Sequence, residues 1–104
     1  MVITLTPQNI QNVIDKSDKI IIDAFASWCP HCARMKPIFE KLEKELGTKY
    51  VFAEFDIDEA KDLASQLSVE SLPTFIFIKN KKEVGRIIGE IPENNLKKAI
   101  GENL

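Results

Sequence analysis

The sequence predicts an α/β fold in layers, with a mixed sheet between helices. Three observations predict it. Strand-like stretches alternate with stretches of helical periodicity along the chain. The strand-like stretch "KIIIDAFAS" is apolar almost throughout, as in a strand covered on both faces. Near the C-terminus, "LPTFIFIKNKKEVGRIIG" reads as two strands around a polar turn, so the sheet contains a hairpin as well as crossovers.

Each element has its own local reason. "VITL" is a short β-prone start. In "TPQNIQNVIDK", Thr6 is a candidate N-cap, Pro7 suits a first helical turn, and Ile10, Val13 and Ile14 fall at helical spacing. "KIIIDAFAS" is the next strand. "PHCARMKPIFEKLEKELG" is amphipathic: Met35, Ile38, Phe39, Leu42 and Leu46 trace one stripe, and Gly47 ends it as a C-terminal glycine. Pro37 lies inside this helix, where a kink is expected. "YVFAEFDID" is a strand and "EAKDLASQLSV" a short helix. The hairpin follows, and "PENNLKKAIGENL" closes the chain as an amphipathic helix.

The totals limit the function. A chain of 104 residues with 44% apolar and 29% charged residues is expected to form a single domain, residues 1–104, with a core that needs neither disulfides nor metal. The formal net charge is −2, and lysines alternate with acids, so no broad basic face is expected for nucleic acid. The basic cluster "KNKK" at 79–82 reads as a solvated turn. "MVITLTPQNI" lacks the basic start and apolar run of an export signal, and Ile20–Ile22 and Phe75–Ile78 are too short to span a bilayer. With Met1 taken as the true start, a cytoplasmic location with no membrane contact is expected.

The chain's two cysteines, Cys29 and Cys32, lie three apart in "ASWCPHCARMKP" at the start of the predicted second helix. A helix N-terminus presents unpaired N–H groups and partial positive charge, which stabilise a thiolate and lower its pKa below the free value of about 8.5. At pH 7.4 a thiol of pKa about 8.5 is about 7% ionised, whereas one near 7 is about 70% ionised. Only the thiolate attacks a disulfide. Cys29 precedes the first turn and is expected to be the more exposed sulfur and the attacker. Cys32, inside the turn, is expected to be more covered and to resolve the mixed disulfide. A permanent staple and a metal site remain as alternatives. The compartment argues against the first. A single histidine and no second cysteine pair argue against the second, so no metal is expected. A redox-active pair fits best.

Several segments together resemble the thioredoxin family, over essentially the whole chain. "DAFASWCPHC" resembles its strand-to-active-site segment, with an aspartate six residues before the first cysteine. Pro37 stands where the family's helix proline stands. "SLPTFIFIKN" resembles the loop whose proline follows a cis bond, and "VGRIIGEIPENNL" the last strand, a glycine and the final helix. The resemblance implies a thioredoxin fold, a central five-stranded mixed sheet flanked by four helices. It also implies protein disulfide exchange with Cys29 as nucleophile and Cys32 as resolving thiol.

The same resemblance assigns supporting roles. Asp23 becomes a buried acid near Cys32 that takes its proton; the plain alternative is a strand-edge aspartate paired with a lysine. Pro73 follows a cis Leu72–Pro73 bond beside the cysteines; the alternative is an ordinary strand-start proline. Trp28, otherwise a core residue, shapes an apolar substrate surface with Leu72 and with Ile91 near Gly89.

The dipeptide Pro30-His31 departs from the family's common Gly-Pro and resembles that of the periplasmic oxidant DsbA. His31, unless merely solvated, stabilises the Cys29 thiolate and favours the reduced form. The gap between thioredoxin and DsbA is about 150 mV, or roughly 7 kcal/mol, too much for one histidine, so an intermediate potential is expected. Glu54 stands where many bacterial members carry lysine, and a carboxylate there pushes the pKa of Asp23 upward. Lys36 is expected to supply the missing cation. Ala33 replaces a frequent basic residue.

The expected partners are disulfide-containing protein substrates and a thioredoxin reductase as electron donor. The chain has no glycine-rich nucleotide fingerprint, so no cofactor is expected. A monomer is the default. An oxidant or isomerase, a metal- or cluster-binding module and a non-catalytic interaction domain are the competing readings.

Overall fold

The apolar run Lys19–Phe25 forms a strand buried over most of its length and becomes the middle of the sheet. The computed structural model describes all residues from 1 to 104. The elements in chain order are β1 (Ile3–Thr4), α1 (Ile10–Lys16), β2 (Lys19–Phe25), α2 (Pro30–Leu46), β3 (Val51–Asp56), α3 (Lys61–Gln66), β4 (Thr74–Lys79), β5 (Lys82–Ile88) and α4 (Glu93–Asn103). The five strands are ordered β1-β3-β2-β4-β5. β1 and β2 pair parallel with β3, while β4 runs antiparallel to both β2 and β5. This is the predicted mixed sheet with four helices.

Side chains alternate between the two faces of a strand, so β2 feeds two cores. Ile20, Ile22 and Ala24 pack with Ile10 of α1 and Leu63 of α3. Ile21 packs on the opposite side with Met35, Phe39 and Leu42 of α2 and with Leu96 and Ile100 of α4. Phe39 meets Phe52 edge-on at 5.2 Å between ring centres. By the same alternation Asp23 shares the face of Ile21, the α2 face. Its neighbours in register are Glu54 on β3 and Phe75 on β4.

Two boundaries differ from expectation. α1 begins at Ile10, with Asn9 rather than Thr6 at the N-cap position. Thr6 and Asn9 exchange hydrogen bonds instead: the Thr6 N–H donates to Asn9 Oδ1 at 2.8 Å and the Asn9 N–H to Thr6 Oγ1 at 3.1 Å. This reciprocal pair closes a separate turn ahead of the helix. Gly47 does end α2, but in right-handed conformation (φ −66°, ψ −10°), with its N–H donating to the Glu43 carbonyl. The termination uses no left-handed glycine. α2 continues on both sides of Pro37.

β4 and β5 join through Asn80 and Lys81, both at positive φ (51° and 71°), the backbone that a two-residue hairpin loop requires. Between Phe77 and Ile78 the pairing shifts by one residue, a bulge that leaves Val84 exposed on β5. No helix is long and apolar enough to cross a membrane.

Candidate active site

The sheet gathers four chain segments at one end. The pairing of Ala24 with Thr74, and of Thr74 with Ile88, sets the C-terminal end of β2, the start of β4 and the end of β5 side by side. The loop from β2 carries Trp28 and Cys29 into α2. The loop before β4 carries the cis peptide bond Leu72–Pro73. The end of β5 carries Gly89, and β3 ends nearby in the loop to α3.

Cys29 holds the N-cap position of α2 with extended backbone (φ −89°, ψ 113°), and Pro30 starts the helix. Proline fits there because its missing N–H would have had no helical partner. The Cys29 sulfur takes the place of a capping oxygen: Sγ accepts a hydrogen bond from the Cys32 N–H at 3.2 Å. Both cysteines are free thiols. The expected difference in exposure is absent, because Cys29 is 5% and Cys32 4% exposed. Cys29 sits in a small apolar cluster with Ala26 and Cys32, flanked by Phe25, Ile57 and Leu72, and these neighbours cover it as fully as the helix covers Cys32.

What separates the two sulfurs is their surroundings. Cys29 borders a groove of about 310 Å³ shared with Trp28, Ile57, Val69 and Leu72. Cys32 borders a different cavity, of about 230 Å³, shared with Asp23, Lys36 and Glu54. Burial pushes the Cys32 thiol up to about 12, with the bond to Cys29 adding to the effect and a backbone hydrogen bond at Ala26 opposing it. Cys32 therefore stays protonated at neutral pH.

Asp23 is buried, and its Oδ1 has no hydrogen-bond partner. Burial, and then the charge of Glu54, push its pKa up to about 7. The upward effect of Glu54 follows from its place beside Asp23 on the adjoining strand. Glu54 is itself raised by burial, and Lys36 pulls it back down. Lys36 thus acts on Glu54 and not as a partner of Asp23.

Pro73 is buried, and its carbonyl accepts the Gly89 N–H at 2.8 Å, which ties the two loops together. Gly89 has φ 101°, a conformation that a side chain would strain. Trp28 is not a core residue: it is 65% exposed, and its Nε1–H donates to Asp58 Oδ2 at 2.8 Å. Leu72 shares its groove, but Ile91 does not. Ile91 lines a separate groove with His31, Ile38 and Glu90, and packs against the core beneath α2. His31 lies between the two grooves and lines both. It is not merely solvated, since its Nδ1 stands 2.8 Å from Glu90 Oε1 and 2.9 Å from Arg34 Nη2.

Sequence reasoning missed Arg34, Asp58 and Glu90. The spacing of His31 and Arg34 on one helix was a usable signal. Glu90 reaches them only through the fold, 59 positions from His31. No group of three or more His, Cys, Asp or Glu side chains converges as a metal ligand set.

The thioredoxin family model matches residues 1–102. The chain belongs to the thioredoxin family. It is 35% identical over 100 residues to a thioredoxin of Chlorobaculum thiosulfatiphilum, covering 95% of this chain and 93% of that one. Among solved structures it is similar to Plasmodium falciparum thioredoxin, with TM-score 0.91 and 31% identity over 99% of this chain and all (100%) of that one. Mitochondrial thioredoxin 3 of Saccharomyces cerevisiae, in oxidised form, gives TM-score 0.89 and 33% identity over 97% and 94% of the two chains. The fold is the thioredoxin fold, and the chain is a thioredoxin-family thiol-disulfide oxidoreductase with two adjacent cysteines. Within that thioredoxin frame, the pair of carboxylates Asp23 and Glu54 and the cluster His31, Arg34 and Glu90 are the features that give this site its own electrostatics.

Proposed function

We propose that the protein reduces disulfides in other proteins, with Cys29 as nucleophile, Cys32 as resolving thiol and Asp23 as the base. The observation that carries this reading is the Cys29 sulfur accepting a helix N–H beside a second thiol that burial keeps protonated. The Cys29 thiolate attacks one sulfur of the substrate disulfide, forming a mixed disulfide and expelling the first substrate thiolate. Cys32 loses its proton to the Asp23 carboxylate and attacks Cys29 Sγ. The Cys29–Cys32 disulfide forms, and the second substrate thiolate leaves. The substrate gains two electrons, and the protein's dithiol supplies them. A separate reductase of the kind that serves thioredoxins returns the protein to the dithiol.

Trp28 and Leu72 form the apolar side of the groove that receives substrate beside Cys29. The backbone around Pro73 and Gly89 is the edge against which an extended substrate segment pairs. Ile91 belongs to the neighbouring face, reached past His31. The protein works as a monomer in the cytoplasm on this reading.

Pro30-His31 favours a second reading, a disulfide oxidant or isomerase related in poise to DsbA. Thioredoxin stands at about −270 mV and DsbA at about −120 mV, and an intermediate value is expected here. An insulin-reduction assay with thioredoxin reductase and NADPH separates the two. Turnover that Cys29→Ser abolishes, with Cys32→Ser trapping a mixed disulfide, supports the reductase. Failure to turn over insulin, with net oxidation of a reduced substrate instead, supports the oxidant.

A further inference from the structure

His31 and Arg34 stand one turn apart at the positive end of α2, and His31 lines the groove that Cys29 borders. Their partner comes from the far end of the chain. Arg34 Nε donates to Glu90 Oε1 at 3.0 Å and Oε2 at 2.9 Å, and Arg34 Nη2 lies 2.9 Å from Oε1. His31 Nδ1 faces both groups, donating to Glu90 when it carries a proton and accepting from Arg34 when it does not. Glu90 is held in place by its predecessor, because the Gly89 N–H is bonded to the Pro73 carbonyl. One carboxylate therefore pairs with the Arg34 guanidinium and reaches the His31 ring that borders the Cys29 groove.

We propose that Glu90 is a positioning residue that lowers the reduction potential, by holding the Arg34 guanidinium as its ion partner and His31 as its hydrogen-bond partner instead of leaving the guanidinium charge to the Cys29 thiolate. The inference rests on the reading of Cys29 as the attacking thiolate. On that reading, charge near the sulfur acts on one redox state only: the dithiol form offers a thiolate for it to act on, and the disulfide form offers none. A free cation there stabilises the dithiol and makes the disulfide a stronger oxidant. A fixed anion beside the cation reverses this. The Arg34 guanidinium is held charged chiefly by Glu90, and the charge of Cys29 contributes to it as well, which sets thiolate and guanidinium within electrostatic reach of each other. Glu90 thus opposes the oxidising tendency of Pro30-His31 and keeps the protein on the reducing side.

The test is the redox equilibrium of the full chain with glutathione, measured for the wild type, Glu90→Gln, and Glu90→Gln combined with Arg34→Met. Glu90→Gln is expected to shift the equilibrium toward the dithiol by about three- to tenfold, and tenfold corresponds to about 30 mV. The shift is expected to shrink in about 1 M salt, where charge is screened within about 3 Å. The added Arg34→Met is expected to restore most of the original position. An unchanged equilibrium in Glu90→Gln, a shift toward the disulfide, or a shift of the same size in high salt would overturn the inference. Failure of the underlying reading shows separately, as a wild-type protein that leaves insulin disulfides intact.

Discussion

At the residue scale, Asp23 makes the sharpest predictions. An acid whose pKa is about 7 in the folded state, against 3.8 for the ordinary group, binds its proton more tightly when folded. Its contribution is therefore most favourable at acid pH and declines as pH rises from about 4 to about 7, by on the order of 4 kcal/mol in all. Asp23→Asn is expected to remove that decline and to raise stability at pH 8 by a few kcal/mol, read by urea unfolding at pH 5 and pH 8. Lower stability of the variant at pH 8 would contradict the burial account. On the proposed mechanism the same substitution deprives Cys32 of its base, so the mixed disulfide is expected to persist at least about a hundredfold longer. Glu54→Gln removes the smaller of the two causes. The pH midpoint of mixed-disulfide resolution is then expected to move down from about 7, yet to stay above the ordinary carboxylate range because burial remains. An unmoved midpoint would show that Glu54 does not bear on Asp23.

The two cysteines were legible in the sequence because their residue type and spacing already constrain the chemistry, whereas the place of Asp23 beside Cys32 came only from the family resemblance, since spacing along the chain does not bring the two together. Their degree of cover was not. The neighbours that bury Cys29, among them Ile57 and Leu72, arrive from the loop after β3 and the loop before β4.

At the scale of elements, the strands were easy to read and the joints were not. β2 and β4 are apolar enough to declare themselves, and α2 shows its stripe of Met35, Phe39 and Leu42. The start of α1 was misplaced because Thr6 and Asn9 can each serve as a cap, and the reciprocal bond between them decides the outcome locally. The β4–β5 loop gives a stability prediction. Lys81 adopts φ 71°, where glycine has no steric cost. Lys81→Gly is expected to stabilise the protein by about 1 kcal/mol, measured by denaturant unfolding, with insulin reduction unchanged. A loss of stability would mean that the lysine side chain is doing something the backbone conformation does not reveal.

At the scale of the molecule, topology creates the site. A parallel β2 and an antiparallel β4 and β5 place Cys29, Pro73, Gly89 and Glu90 at one end of the sheet, although they span most of the sequence. The order of elements was legible; the strand order that makes these neighbours was not. The family resemblance implied a five-stranded mixed sheet between four helices, and the fold adds the order of its strands. Yet the ion cluster lies outside what the resemblance implied, because it depends on three side chains of this chain, one of them beyond β5. The resulting picture is a thioredoxin-family site in which, as proposed, two opposed influences meet at Cys29, a histidine between the cysteines and a carboxylate that holds it.

The most direct test of the whole account is the alkylation rate of the individual thiols between pH 6 and pH 7, resolved by mass spectrometry. Cys29 is predicted to react about tenfold faster than free cysteine or more, with Cys32 nearly inert. A Cys29 thiol that reacts no faster than free cysteine would contradict the account at its base.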